Sequence, residues 1–497
     1  MGQILQADSI GAVTIVGTTL TLAPSVLTCG GQQYITASLN LSLSGLSAST
    51  TYNIFAVSVS NVVSLVKDTN SAPVGYTAYK LVYVVSTDSN GVISNKNQWQ
   101  PSKSYIVGDI VERDGFSIRC FVDHISSSDY NADMGLGYWK LAHYEKNHYI
   151  NGNFDFFQRS TAIGVIGLGS HIYVADRTGF TCGNSVSATY THQQNPTVPT
   201  LAQSGFKSTN ALQVYPNPGN VLGNSTSYCM PFVYIMEGND YAAVHGKRVT
   251  LSFWIFAALA GQYTVAFRKD ASPYRTFIAP FTVNQANTLE FKAITLQLDN
   301  SSSNWAFDTA AALDIMICAT SGSTFVTSTV NSWIDGNYLT ASGTVDPLHG
   351  NGANNGILIS QVMLNLGPAP NPTFVRAGTT IAEELILCQR YFEKSYQQSV
   401  VPGTSDYPDC SGNLTDVSGR LINNPIQFKV QKRISPNVVL YSQTGTPNRV
   451  TPVGGGDAGS GTWYINHGVN CVWDAENSSA LTGYSAYYFN WTADSEF

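Results

Sequence analysis

The sequence predicts an all-β chain: several β-sandwich or jelly-roll domains in series, with one short connecting helix. Three observations lead there. Strand-length runs with partial polar–apolar alternation recur along the 497 residues, each with Gly, Asn or Asp nearby. Charged residues make up 11% of the chain, against roughly 25% in an average soluble domain, and Ser, Thr, Asn, Gln and Gly cover the surface instead. Only one stretch, 379–397, reads as a convincing helix.

The totals bound the function classes. A chain this long exceeds one core, so two to four domains are expected. A net charge of −7 offers nothing to nucleic acid or to an anionic membrane, so neither is expected as a partner. No run of about 20 apolar residues is present, so no membrane insertion is expected. The opening MGQILQADSIGAV lacks a basic segment followed by an apolar run, and position 6 is neither Ser nor Thr. Neither a signal peptide nor myristoylation is expected. Cys29, Cys120, Cys182, Cys229, Cys318, Cys388, Cys410 and Cys471 form no CxxC or CxxH pair, so they read as mostly buried free thiols and not as a zinc site. No cofactor is implied. Gly454-Gly455-Gly456-Asp457-Ala458-Gly459 matches GxGxxG, but a strand-like Thr462-Trp463-Tyr464-Ile465 follows it where a helix is required, so it reads as a loop.

Residues 1–98 form an N-terminal β domain, suited to attachment or to spacing. Segments 52–57 and 62–66 flank a polar turn at 58–61, and 80–85 and 92–94 flank Asp88-Ser89-Asn90-Gly91, a strong turn signal. Residues 99–145 form a compact unit with aromatic edges and a turn at Asp114-Gly115, read as a small three-stranded meander. Residues 146–378 carry regular short strands, which argues for a β-sandwich of jelly-roll type. In 379–397, Thr380 with Glu383 is a capping-box signal, and Ile381, Leu385, Cys388 and Phe392 recur at helical spacing. Residues 398–497 read as a further β domain, with strands near 424–431, 437–442, 462–465 and 484–491. It is a distal tip, a spacer or a trimerisation domain.

Two resemblances add to this reading. Trp99, the run Tyr105-Ile106-Val107-Gly108-Asp109-Ile110-Val111, Cys120, His124 and Tyr138-Trp139-Lys140 resemble a small chitin-binding type of carbohydrate-binding module. The resemblance implies that Trp99, Tyr105 and Trp139 are the carbohydrate-binding candidates, because the flat C–H face of a sugar stacks on an exposed ring; in so small a unit the same rings also supply the core. The second covers about 151–395 and the C-terminus. Asn151-Gly152-Asn153-Phe154-Asp155…Gln158-Arg159, Ala175-Asp176-Arg177, the Thr250-Leu251-Ser252-Phe253-Trp254 strand, Gln361-Val362-Met363-Leu364-Asn365, the Leu387-Cys388-Gln389-Arg390-Tyr391-Phe392-Glu393-Lys394 helix and the closing Ala493-Asp494-Ser495-Glu496-Phe497 resemble tail-fibre and related receptor-binding proteins of tailed bacteriophages.

That resemblance implies a homotrimer on the virion exterior. It would bind other virion structural proteins through its N-terminal domain and host-surface polysaccharide through lectin-like domains. A head fibre or decoration protein is an alternative, and so is a polysaccharide depolymerase. Cleavage needs paired carboxylates. Asp299, Asp308 and Asp314, and Asp406, Asp409 and Asp416, are near in sequence, but carboxylates are also ordinary turn residues, so the expectation is binding without enzymatic activity. In a trimer the Ile381/Leu385/Cys388/Phe392 face meets its symmetry mates at the axis or packs on its own sandwich.

Overall fold

The computed structural model describes residues 13–16, 18–29, 31–70, 72–87, 93–94, 99, 101–113, 116–164, 171–183, 189–217, 220–301, 304–349, 356–405, 410–421, 425–479, 481–482 and 485–497. The chain is mostly β, with several sheets forming sandwich-like domains. It divides into two compact units, 1–100 with 110–113, and 101–109 with 114–497.

The first unit is built from short antiparallel pairs around Leu20, Leu22, Leu27, Ile54, Ala56 and Leu65. Strands Thr51–Val59 and Val62–Asp68 form the predicted hairpin. Its two turn residues, Ser60 and Asn61, have φ of 51° and 66°, the left-handed pair whose twist suits a two-residue hairpin. The second predicted turn, Asp88-Ser89-Asn90-Gly91, lies outside the described residues.

In the second unit two antiparallel sheets face each other. One runs in the order Ala162–Gly164, Tyr190–Asn195, Ala211–Pro216, Ile357–Leu366, Arg248–Ala257, Leu289–Gln297. The other runs Ile172–Ala175, Thr178–Gly183, Tyr228–Glu237, Ala311–Ile317, Gly261–Lys269, Arg275–Val283, Trp333–Asp335. Phe180, Phe232, Leu251, Phe253, Val265 and Ile359 are among the side chains that fill the space between them. Cys182 and Cys229 are directly opposed on neighbouring strands and form a disulfide. This corrects the expectation of free thiols at that pair: a sequence separation of 47 hides what strand register brings together. The other six cysteines are not disulfide-bonded.

His192 sits in this core beside Phe180 and Phe232, fully buried, with neither ring nitrogen hydrogen-bonded among the described residues. Burial pushes its pKa down to about 3, and burial, then Lys146 and Lys247, pushes His148 down to about 4. Both are neutral in the fold and titrate near 6.5 when unfolded. Their stabilisation is complete above pH 6.5 and is lost as pH falls toward 3–4, at about 1.4 kcal/mol per pH unit for each ring. Burial raises Asp176 to about 6 and Asp314 to about 7, and these act in the opposite sense. The difference between wild type and His192→Phe isolates the ring. Denaturant titrations from pH 7 to pH 4.5 are expected to show a shallower acid loss in the variant, and parallel curves would refute this.

Residues 116–145 pack on the sandwich. Tyr130 Oη donates to Pro368 O at 3.0 Å, Leu141 N to Pro370 O at 2.8 Å and Lys140 Nζ to Pro372 O at 3.0 Å. Phe116–Cys120 pairs with Trp139–Leu141, and Ser104–Tyr105 with His124–Ile125. A helix, Tyr130–Gly135, capped by Asp129, stands where only strands were expected; the predicted Asp114-Gly115 turn lies outside the described residues.

The predicted helix runs Ile381–Gln389, with Thr380 and Glu383 forming the expected capping box. It ends earlier than expected because Phe392–Lys394 leaves to pair with Ala486–Asp494. The predicted apolar face is also corrected. Ile381 is 49% exposed, while Glu384 is buried and accepts from the backbone N–H groups of Asn151 and Gly378. Cys388 belongs to the sandwich core and Leu387 packs against it, so the helix sits on its own sandwich.

The C-terminal strands have their own core of Val438, Leu440, Val450, Val472, Phe489 and Trp491. Ala486–Asp494 organises them, pairing with Phe392–Lys394, Ser411–Leu414, Asn437–Tyr441 and Thr451–Pro452. A strand not foreseen, Cys471–Asn477, pairs with Trp463–His467. Gly454, Gly455 and Gly456 lie in a loop closed by a bridge between Val450 and Ala458.

Several of the residues that carry the fibre resemblance meet in one largely buried polar network. Asn151 Nδ2 donates to Phe156 O and Asp176 O, and Gln158 Nε2 to Asp176 Oδ2 at 2.6 Å. Asp176-Arg177 makes the tight turn between Ile172–Ala175 and Thr178–Gly183, with Arg177 at φ 69°. Arg177 pairs with Glu496, Arg159 with Asp494, and Arg390 with Glu237 at 2.6 Å. Tyr391 Oη also donates to Glu237, at 2.8 Å. Burial raises the Glu237 carboxyl, but the hydrogen bonds from Arg390, Asn239 and Tyr391 outweigh it and leave the group below its ordinary range. Together these pairs tie the first loop, the helix and the last residues to the sandwich.

Candidate functional site

The three rings singled out from sequence are buried. Trp139 is 0% exposed, Tyr105 3% and Trp99 9%. Tyr105 and Trp139 meet edge to face at 4.8 Å, and the Arg113 guanidinium lies 5.4 Å from the Trp99 ring centre. Their faces are taken up by core packing, which leaves no open platform for a sugar. Cys120 and His124 approach to 3.7 Å, with His124 Nδ1 also 2.7 Å from Val122 O. No cluster of three metal-ligating side chains occurs among the described residues.

The candidate carboxylates have structural partners. Asp299 accepts from Ser301 and from Trp305 Nε1, and forms an ion pair with Arg275 at 3.0 Å. Asp314 pairs with Arg268 at 2.7 Å, Asp308 accepts from Ala310 N, and Asp416 from Ser418 N and Arg420 N. Asp406 and Asp409 lie outside the described residues.

An exposed aromatic surface instead lies on the hairpin of Trp463–His467 and Cys471–Asn477. Its register explains the surface. Tyr464 opposes Glu476 and Asn466 opposes Asp474, so these four share one face. Trp463, Ile465 and Ala475 alternate onto the other face and pack into the C-terminal core. Between Asn466 and His467 the register shifts, leaving Trp473 as the extra residue of a bulge. Bulges re-aim side chains, and here the indole turns outward: Trp473 is 50% exposed and Tyr464 60%.

The polar groups of the same hairpin are pre-set. Asn466 Nδ2 donates to Asp474 Oδ1 at 2.5 Å. Arg420 Nη2 donates to Glu476 Oε2 at 2.8 Å, and its Nη1 lies 3.8 Å from Asp474 Oδ2. Two large rings thus stand exposed on one hairpin that also carries an amide and two carboxylates, oriented by each other and by the Arg420 guanidinium. Such a surface offers stacking area and in-plane hydrogen bonds to a polyhydroxylated partner. The alternation around Tyr464 and Glu476 is visible in the sequence, but the bulge that exposes Trp473 is not.

No family model and no curated protein matches the chain. Solved structures similar to parts of it include the enzymatically active domain of tailspike protein 4 of bacteriophage CBA120, at 12% identity and a TM-score of 0.23, over 44% of this chain and 21% of that one. The chain thus spans about a fifth of the tailspike's length. A CBM4 module aligns at 11% identity and TM-score 0.22, over 44% of this chain and 98% of that one. The family 11 carbohydrate-binding module of Clostridium thermocellum, in complex with a β-1,3-1,4-mixed-linked tetrasaccharide, aligns at 10% and 0.21, over 41% of this chain and 100% of that one. Likenesses at this level establish neither fold nor ligand.

Proposed function

We infer that the chain is a glycan-binding adhesive protein of a tailed-bacteriophage particle. In this reading it is a homotrimeric exterior appendage that adsorbs to host-surface polysaccharide without cleaving it. The N-terminal β unit attaches it to other virion structural proteins, and the C-terminal unit presents the sugar-binding face. The observation that carries the reading is the Trp473–Tyr464 surface with its oriented Arg420, Asn466, Asp474 and Glu476. Sugar C–H faces stack on the rings, and hydroxyl groups exchange water for the flanking polar atoms. Three such sites on one particle appendage convert a weak contact into firm adhesion on a repetitive surface.

Trp473→Ala is the test. Each stacking contact is worth about 1.5 kcal/mol, roughly tenfold in single-site affinity, and the loss compounds when sites act together. Adsorption of the purified protein to host cells or their extracted polysaccharide should fall by at least that factor, with the unfolding midpoint unchanged. Undiminished adsorption by a folded Trp473→Ala protein rejects the site, and release of oligosaccharides by the wild type rejects binding without cleavage. Sedimentation of the same preparation at the single-chain mass of 53.5 kDa would reject the trimer.

A further inference from the structure

A second concave feature, separate from the aromatic hairpin, opens at the side of the sandwich. It lies between Leu289–Gln297, the edge strand of one sheet, and the edge of the other formed by Arg275–Val283 and Trp333–Asp335. The helix Tyr130–Gly135 supplies a third wall. The cleft holds about 530 Å³, within the roughly 300–1,000 Å³ of small-ligand sites. Its floor is sandwich core: Ile294, Leu296, Phe277 and Ala279. Trp333 stands at its side, half-buried and held in place. Its Nε1 donates to Gln297 O at 2.8 Å and its ring packs edge-on against Trp305 at 5.9 Å. Asn131, Gln297, Asn331 and Ser332 form an exposed rim.

We propose that this cleft binds an internal stretch of a neutral polysaccharide chain. Amide and hydroxyl side chains donate and accept at once, as sugar hydroxyls do, and can therefore follow a chain of them without selecting charge. The fixed indole and the apolar floor receive the C–H faces. Among the described residues two ionisable side chains line the cleft, Arg248 and Asp129, and they are opposite in sign. The Asp129 carboxylate is already committed, accepting from Asn131 N at 2.9 Å as the helix cap. Nothing in this balance draws in a polyanion. The cleft lies along a sheet edge and is open, which suits a chain passing through it better than a chain end held in a closed pocket.

The test uses the folded chain carrying both Trp473→Ala and Tyr464→Ala, so that the hairpin keeps neither of its exposed rings and the two readings fail independently. It is titrated calorimetrically with short neutral glucan, galactan and mannan oligosaccharides, with a polyuronate of matched length and with an extended alanine-rich peptide. Saturable binding of at least one neutral oligosaccharide is expected. Ala132→Trp, which fills the cleft from an exposed position on the helix, should weaken it about tenfold or more, and Asn131→Ala by a smaller factor. The proposal is overturned if no neutral oligosaccharide binds, if the polyuronate or the peptide binds more tightly, or if Ala132→Trp leaves the affinity unchanged.

Discussion

Replacing Arg177 by Met is expected to destabilise the second unit by about 3–5 kcal/mol, the usual cost of removing one partner from a buried ion pair. Arg177 is fully buried. One guanidinium nitrogen pairs with Glu496 and another donates to Ile235 O. Its Cζ lies 3.4 Å from the centre of the Tyr391 ring, 5.2 Å from that of Tyr234 and 5.6 Å from that of Phe497. Met fills much of the space but gives nothing to Glu496, whose side chain is 3% exposed. The nearest remaining cation is Arg159, 3.7 Å from Glu496 Oε1 and already engaged with Asp494. The double variant Arg177→Met, Glu496→Gln removes both charges, so it should recover a substantial part of the loss. Chemical denaturation followed by tyrosine and tryptophan fluorescence reads all three proteins. If the double variant is no more stable than Arg177→Met, the cost is one of packing and hydrogen bonding and not of the stranded carboxylate.

What could be read from the sequence was mostly local. The Thr380/Glu383 capping box lies within four residues and is found as expected. The Ser60-Asn61 turn is likewise encoded by its own polar residues and flanking strands. The sandwich followed from repeated strand-length runs, each of which needs only its own alternation to be seen. What failed was set by partners distant in the chain. The face a short helix buries is chosen by what it docks on, so a buried Glu384 serving Asn151 and Gly378 was invisible to an apolar periodicity. Trp99, Tyr105 and Trp139 are sugar-stacking candidates by resemblance, but composition cannot tell a core ring from a platform, and the fold buries all three. Trp473 owes its exposure to a bulge, a register event between two strands that neither strand records alone.

Gly152→Ala tests the same distinction within the Asn151-Gly152-Asn153 motif, where the glycine could serve either a turn or a close approach. Its φ is not in the left-handed region, so chain flexibility is not its reason for being there. A methyl group at this position would meet Val362 O at 1.9 Å and the Tyr149 ring at 3.4 Å. The carbonyl cannot move aside cheaply. Val362 N donates to Gly152 O at 2.8 Å, and Asn147 Nδ2 donates to Val362 O at 3.2 Å. Val362 also lies in Ile357–Leu366, held between Ala211–Pro216 and Arg248–Ala257 in the sheet. Overpacking in a core ordinarily costs about 1–3 kcal/mol; against backbone fixed on both sides the expected loss is at the top of that range or above it. Gly164→Ala is the control, since among the described residues a methyl there meets nothing within 4 Å and it needs no unusual φ, and it should stay within about 0.5 kcal/mol of wild type. If the two variants unfold at the same denaturant concentration, the close approach of Gly152 to the central strand is not what holds the motif in place. If Gly152→Ala alone collapses, the glycine is required by the packing of the first loop onto the sheet and not by recognition of any partner.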